Sequence, residues 1–187
     1  MCGIVGYIGQ RDCTDVLMDG LEKLEYRGYD SAGIAVFEKT GIKTVKTKGK
    51  LKDMREKLVK EGSPVGHCGI GHTRWATHGE PSDLNSHPHS NGRVTIVHNG
   101  IIENYIELKE FLTEKGYTFK SQTDSEIIAC LLDYYYSERN PLRAITETVK
   151  ELRGSYALGI IFRDFPDRVY ATRKAVSYTH LRAHETL

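Results

Sequence analysis

The chain lacks an excess of charge of either sign. Its 187 residues hold 26 Lys and Arg against 25 Asp and Glu, a formal net charge of +1. Nucleic acids and anionic membranes select basic faces, so neither is indicated as a partner, and a small polar ligand is expected instead. Long hydrophobic runs are also missing. Apolar stretches such as residues 157–162 fall far short of the roughly 18 residues a spanning helix needs, and no basic-then-apolar leader opens the chain. With no export signal visible, a cytoplasmic protein is expected. The four cysteines, Cys2, Cys13, Cys68 and Cys130, form neither a CxxC pair nor the spacing of a disulfide framework, and they read as free thiols. Cys13 and Cys130 fit small half-buried hydrophobes on helices. There is no internal repeat. What is there, 39% hydrophobic and 27% charged residues, suits a chain that folds as one domain, or one plus a tail.

The pattern of elements is α+β. Residues 2–9 (CGIVGYIG), uncharged, β-branched and glycine-rich, suit a buried first strand. Val16, Leu17, Leu21 and Leu24 recur at helical spacing over residues 14–25, with Asp12 or Thr14 as the cap, until Arg27 to Asp30 breaks the helix. Ser31–Glu38 and residues 42–47 read as a hairpin around Lys39, Thr40 and Gly41. Leu51, Met54 and Leu58 mark a short amphipathic helix. Residues 67–74 and 93–98 are further strands, separated by about twenty residues rich in His, Pro, Ser, Asn and Gly, a loop length often associated with function. Tyr105, Leu108, Phe111 and Leu112 predict a helix ending near Gly116. Thr123-Asp124-Ser125-Glu126 has the form of a capping box before the stripe Ile127, Ile128, Leu131, Leu132 and Tyr135. Pro141 fits the first turn of a last helix, which Gly154 ends, and residues 155–163 and 168–173 close with a strand pair. Helices alternate with strand pairs rather than single strands, which favours a layered α+β domain over a doubly wound sheet. Residues 175–187 show neither periodicity and stand apart.

Three constellations carry chemistry. Removal of Met1 would leave Cys2 with a thiol and a free α-amine on one residue, and an amine of pKa about 7.7 to 8.0 can take the thiol proton directly or through one water. Asn99-Gly100 ends an apolar strand. Locally it is a strong hairpin-turn signal, yet the same Asn amide and Gly N–H could donate two hydrogen bonds to the oxyanion of a tetrahedral intermediate. Arg74, in the segment Arg74-Trp75-Ala76-Thr77-His78-Gly79, could fork onto a carboxylate, and Asp124 could hold an ammonium, which matches the two charged ends of a free amino acid. Each has a plainer role open to it: Arg74 a surface ion-pair partner, Trp75 a core anchor, Asp124 a helix cap. His67, His72, His78, His87, His89 and His98 match no familiar zinc spacing, and no metal is expected.

Together, Met1-Cys2-Gly3-Ile4-Val5-Gly6, Leu24-Glu25-Tyr26-Arg27-Gly28-Tyr29-Asp30-Ser31-Ala32-Gly33, His72-Thr73-Arg74-Trp75-Ala76-Thr77-His78-Gly79, His98-Asn99-Gly100 and Thr123-Asp124-Ser125-Glu126 closely resemble the class II glutamine amidotransferases in order and spacing. They are most similar to members that deliver ammonia to a sugar phosphate, and less similar to those that make phosphoribosylamine or asparagine. The resemblance spans residues 1–174 and implies an N-terminal-nucleophile hydrolase fold, a four-layer αββα sandwich. It implies that Cys2 attacks the side-chain amide of L-glutamine with its own α-amine as base, and that Asn99 and Gly100 form the oxyanion hole. Arg74 and Asp124 would bind the glutamine carboxylate and ammonium, Thr77, His78 and Gly100 would line the pocket, the loop around Trp75 would close over it, and Arg27 would support the site. No cofactor is implied. The partner would be a sugar-phosphate isomerase domain absent from this sequence, with the full-length protein a homodimer. Residues 175–187 do not resemble the family, so the domain is expected to be truncated at its C-terminus, with a poorly packed, unrelated tail. The alternatives are a glutaminase domain of another class II amidotransferase, a non-catalytic glutamine-binding module, or an inert truncated fragment.

Overall fold

The structure, a computed structural model, describes residues 2–27, 30–75 and 79–175, with only the backbone of Arg27. Its elements in chain order are β1 (Gly3–Ile8), α1 (Cys13–Glu22), a one-turn 3-10 helix (Glu25–Arg27), β2 (Ser31–Glu38), β3 (Gly41–Lys48), α2 (Leu51–Glu61), β4 (Cys68–Arg74), β5 (His89–Asn91), β6 (Val94–Ile102), α3 (Tyr105–Glu114), α4 (Asp124–Tyr135), α5 (Pro141–Glu151), β7 (Gly154–Phe162) and β8 (Tyr170–Lys174). All strand pairs are antiparallel. One sheet has the order β1-β4-β2-β3 and the other β5-β6-β7-β8.

The layering follows from the two-residue period of strands buried on both faces. On β2, Ala32, Ile34 and Val36 point to one side and pack with Leu17, Met18 and Leu21 of α1 and with Leu51, Met54 and Leu58 of α2. Ala35 and Phe37 point to the other side and join Ile70 of β4, Val97 of β6 and Ile161 of β7 in a core between the sheets. In the second sheet, Val94, Ile96, Leu158, Ile160 and Phe162 turn outward against Leu112, Ile128, Leu131 and Leu132 of α3 and α4. The result is helix, sheet, sheet, helix: a four-layer αββα sandwich.

Local chemistry sets the element ends. Asp12 caps α1, its Oδ1 accepting from the Thr14 N–H at 2.9 Å. Asn140 caps α5 by accepting from the Arg143 N–H at 3.1 Å, with Pro141 in the first turn. Cys13 and Cys130 lie on α1 and α4 and are fully rather than half buried.

Three sequence expectations require correction. The helix expected to reach residue 25 ends at Glu22 and gives way to the 3-10 turn. The long loop contains a short strand, β5, paired with β6. The capping box at α4 does not form, because Thr123 makes no side-chain cap and the Glu126 carboxylate is used by the preceding loop instead. It accepts from the backbone N–H groups of Lys120 at 3.0 Å and Ser121 at 2.6 Å. The expectation of a poorly packed tail concerns residues 175–187, all of which except Ala175 lie outside the described residues.

Candidate active site

Asn99 and Gly100 do not form a hairpin turn. β6 runs through them to Ile102, with Asn99 opposite Ala157 and Gly100 opposite Tyr156 on β7. Gly100 has φ +137°, a region L side chains rarely adopt, and a Cβ there would collide with the Ser155 carbonyl oxygen and lie 2.8 Å from the Tyr156 Cα. Only glycine fits. Pairing over nine residues of β6 outweighs the local turn tendency of Asn-Gly and presents both residues at the end of a strand.

Cys2 immediately precedes β1, at the neighbouring end of the other sheet. The Asn99 Nδ2 donates to the Cys2 carbonyl at 2.9 Å, bridging the two sheets. The Cys2 Sγ accepts from the Trp75 N–H at 3.1 Å and lies 3.6 Å from the Trp75 carbonyl, its acceptor. Burial pushes the Cys2 thiol above its ordinary pKa, and the Trp75 N–H bond and the Arg74 charge oppose that rise. The thiol is therefore held protonated and needs a base to become nucleophilic.

Arg74, the last residue of β4, is buried, and its Nη2 donates to the Gly79 carbonyl at 3.2 Å. Asp124 opens α4. Its Oδ2 accepts from the Ile102 N–H at 3.0 Å and its Oδ1 from the Ser125 hydroxyl at 3.3 Å, which fixes the carboxylate at a helix N-terminus where negative charge is favoured. Cys2, Arg74, Trp75, Gly100 and Asp124 line a single pocket, which places a thiol, a cation and an anion together. Trp75 is about half exposed at the rim rather than a core anchor. Arg27 lies in the 3-10 turn, while Thr77 and His78 lie outside the described residues.

Sequence reasoning missed a buried histidine group at this pocket, two of whose members, His87 and His98, line it. His72 and His87 stack with ring centroids 4.1 Å apart, and His87 meets His89 edge-on at 4.7 Å. His98 Nδ1 lies 2.9 Å from the Ser125 Oγ, which His87 Nε2 approaches at 3.3 Å. Because the Ser125 hydroxyl donates to Asp124, it accepts from both rings. The Nδ1 of His87 accepts from the His98 N–H at 3.3 Å, so the His87 proton sits on Nε2. Burial lowers the pKa of all four histidines, and among His72, His87 and His89 neighbouring positive charge lowers it further, so the rings are neutral. Among the described residues no group of three or more His, Cys, Asp or Glu is arranged to hold a metal. The available signal was the two-residue period, which puts His72 on the same strand face as Arg74 and His98 on that of Gly100. A larger groove of about 320 Å³ runs between α3, α4 and α5 past Glu107, Phe111, Tyr135, Lys150 and Arg153, and its lining includes no cysteine.

The four-layer fold is that of an N-terminal-nucleophile hydrolase, and comparison with known proteins agrees. A family model described as a glutamine amidotransferase domain matches residues 72–185. The glutamine–fructose-6-phosphate aminotransferases (isomerizing) of Clostridium tetani and Clostridium perfringens are 56% and 58% identical to the chain over 176 residues, 93% of its length. The glutamine phosphoribosylpyrophosphate amidotransferase of B. subtilis superposes with a TM-score of 0.73 at 26% identity, covering 87% of this chain and 35% of that one. The chain belongs to the class II glutamine amidotransferase domain family. It spans 29% and 28% of the length of the two clostridial relatives.

Proposed function

We propose that this domain hydrolyses L-glutamine to glutamate and ammonia with Cys2 as nucleophile, and that in the whole protein the ammonia converts fructose 6-phosphate to glucosamine 6-phosphate. One observation carries the reading: the Asn99 amide reaches across the sheets to the backbone of Cys2, and Cys2, Arg74 and Asp124 line one pocket. Once Met1 is removed, the α-amine of Cys2 accepts the thiol proton. The thiolate attacks the amide carbon of glutamine, and the Asn99 Nδ2 and Gly100 N–H stabilise the oxyanion. Collapse expels ammonia, the amine returning the proton, and leaves a glutamyl thioester. Water then attacks, giving glutamate and the free thiol.

Arg74 forks onto the substrate carboxylate and Asp124 holds its ammonium. Trp75, Thr77 and His78 belong to the segment over the substrate, and Arg27 supports it. The chemistry needs no cofactor or metal. Identities above 50% to sugar-phosphate aminotransferases, against 26% to the phosphoribosylpyrophosphate enzyme, favour a sugar-phosphate isomerase domain as the ammonia acceptor. The glutaminase domain is assigned to residues 1–174, where β8 ends, and residues 175–187 to an unrelated tail. The full-length protein is assigned as a cytoplasmic homodimer in amino-sugar biosynthesis; no described helix is long and apolar enough to cross a membrane.

The test is glutamate release from glutamine by the chain and by Cys2→Ala, with hexosamine phosphate formation from fructose 6-phosphate measured in the full-length protein. Glutamate release that Cys2→Ala abolishes supports the assignment. A glutamine-binding module or an inert fragment gives none, and a different amidotransferase gives glutamate but no amino sugar.

A further inference from the structure

The His72 ring abuts the Asn99 side chain. Its Nε2 lies 3.0 Å from the His98 backbone carbonyl and 2.7 Å from the Asn99 Oδ1. A backbone carbonyl can only accept, so the ring proton must be on Nε2. A ring N–H in turn requires an acceptor from Asn99, so the Asn99 oxygen faces the histidine and its NH₂ faces Cys2. At the other end the Cys2 carbonyl, also acceptor-only, takes the Asn99 Nδ2 at 2.9 Å. The chain His72 Nε2–H to Asn99 Oδ1, and Asn99 Nδ2–H to the Cys2 residue, thus has one consistent polarity. A flipped Asn99 would set oxygen against oxygen at Cys2 and N–H against N–H at His72.

We propose that His72 is a positioning residue, its Nε2–H locking the Asn99 side chain in the rotamer that points its donor, not its oxygen, at the reacting carbonyl. This rests on the glutaminase assignment and deepens it. The remaining contacts of His72 fit a fixed tautomer rather than proton transfer. Its Nδ1 is buried with no hydrogen-bond partner among the described residues, and the ring is wedged against His87. Burial holds its pKa near 3, so it stays neutral across the working range. Its ring N–H is shared between the His98 carbonyl and the Asn99 Oδ1, so its influence on the oxyanion donor passes through Asn99.

The test is steady-state glutamine hydrolysis by the whole chain for wild type, His72→Phe, His72→Gln, Asn99→Ala and His72→Phe/Asn99→Ala. His72→Phe keeps a ring against His87 but removes the donor. It is expected to lower kcat about tenfold to a hundredfold, short of the full loss of an oxyanion donor, with KM for glutamine within about twofold. His72→Gln, which restores an N–H, recovers most of the rate. In the Asn99→Ala background His72→Phe costs nothing further, because the group it positions is gone. Equal losses in both backgrounds, or a loss confined to KM, would overturn the proposal. Should His72→Phe fail to fold, nitrogen-15 spectroscopy of the wild-type imidazoles decides: an Nε2–H tautomer unchanged from pH 7 to 9 is required, and an Nδ1–H tautomer refutes it. Wild type without glutaminase activity would instead sink the functional assignment and leave the tautomer result standing.

Discussion

Acidification from pH 7 to 5 should destabilise this domain, because its buried histidines refuse the protons that the unfolded chain takes up. His72 titrates near pH 3 in the fold, against about 6.5 when exposed. Between those values the unfolded chain binds a proton that the native chain refuses, so the stability due to the neutral ring is complete above pH 6.5 and is lost as pH falls towards 3. At pH 5 the loss is about 2 kcal/mol for His72. His87 and His89 are pushed well below their ordinary value, first by burial and then by neighbouring positive charge, and act in the same direction. The loss from His72 alone is a sizeable part of the roughly 5–15 kcal/mol that holds a typical domain folded. Urea denaturation followed by circular dichroism at pH 8, 7, 6 and 5, at constant ionic strength, measures this. Stability should be flat above pH 7 and then fall with a slope approaching about 1.4 kcal/mol per pH unit for each histidine. Carboxylates titrate mainly below this window and do not imitate the effect. Constant stability between pH 7 and 5, or a rise on acidification, would refute the reasoning, because it would mean the fold accommodates imidazolium in this group.

Three substitutions probe other parts of the structure. Gly100→Ala must push β6 and β7 apart at the Ser155 carbonyl and strain a positive φ, so stability should fall by about 1–3 kcal/mol and glutaminase activity far more, read by denaturation and glutamate release. Asp124→Asn keeps an oxygen for the Ile102 N–H but removes the charge, so KM for glutamine should rise about tenfold or more with kcat less affected. An unchanged KM would remove Asp124 from ammonium binding. Ile70→Ala opens the core between the sheets and should cost about 2–5 kcal/mol; a loss below about 1 kcal/mol would mean the sheets do not pack there.

Much of the fold was legible because its signals are local. The apolar stretch of β2, the helical stripe of α4, the cap at Asp12 and Pro141 in the first turn of α5 can all be read from neighbours in sequence. Errors arose where distant residues decide. Asn99-Gly100 signals a turn until β7 supplies a partner for every residue of β6, and Glu126 signals a capping box until the loop at Lys120 and Ser121 claims its carboxylate. At the site, residue types suggested the chemistry, and Cys2, Arg74 and Asp124 do share a pocket. The convergence of His72, His87, His89 and His98 was hidden because β4 and β6 belong to different sheets. Six scattered histidines then prompted only a question about metal.

The most direct test compares glutamate release by two forms of the chain whose first residue is established by intact mass: one beginning at Cys2 and one retaining Met1. The form beginning at Cys2 is expected to turn over glutamine, and the form retaining Met1, with its amine one residue removed from the thiol, to be inactive. Equal turnover by both would contradict the paired thiol and amine on which the mechanism stands.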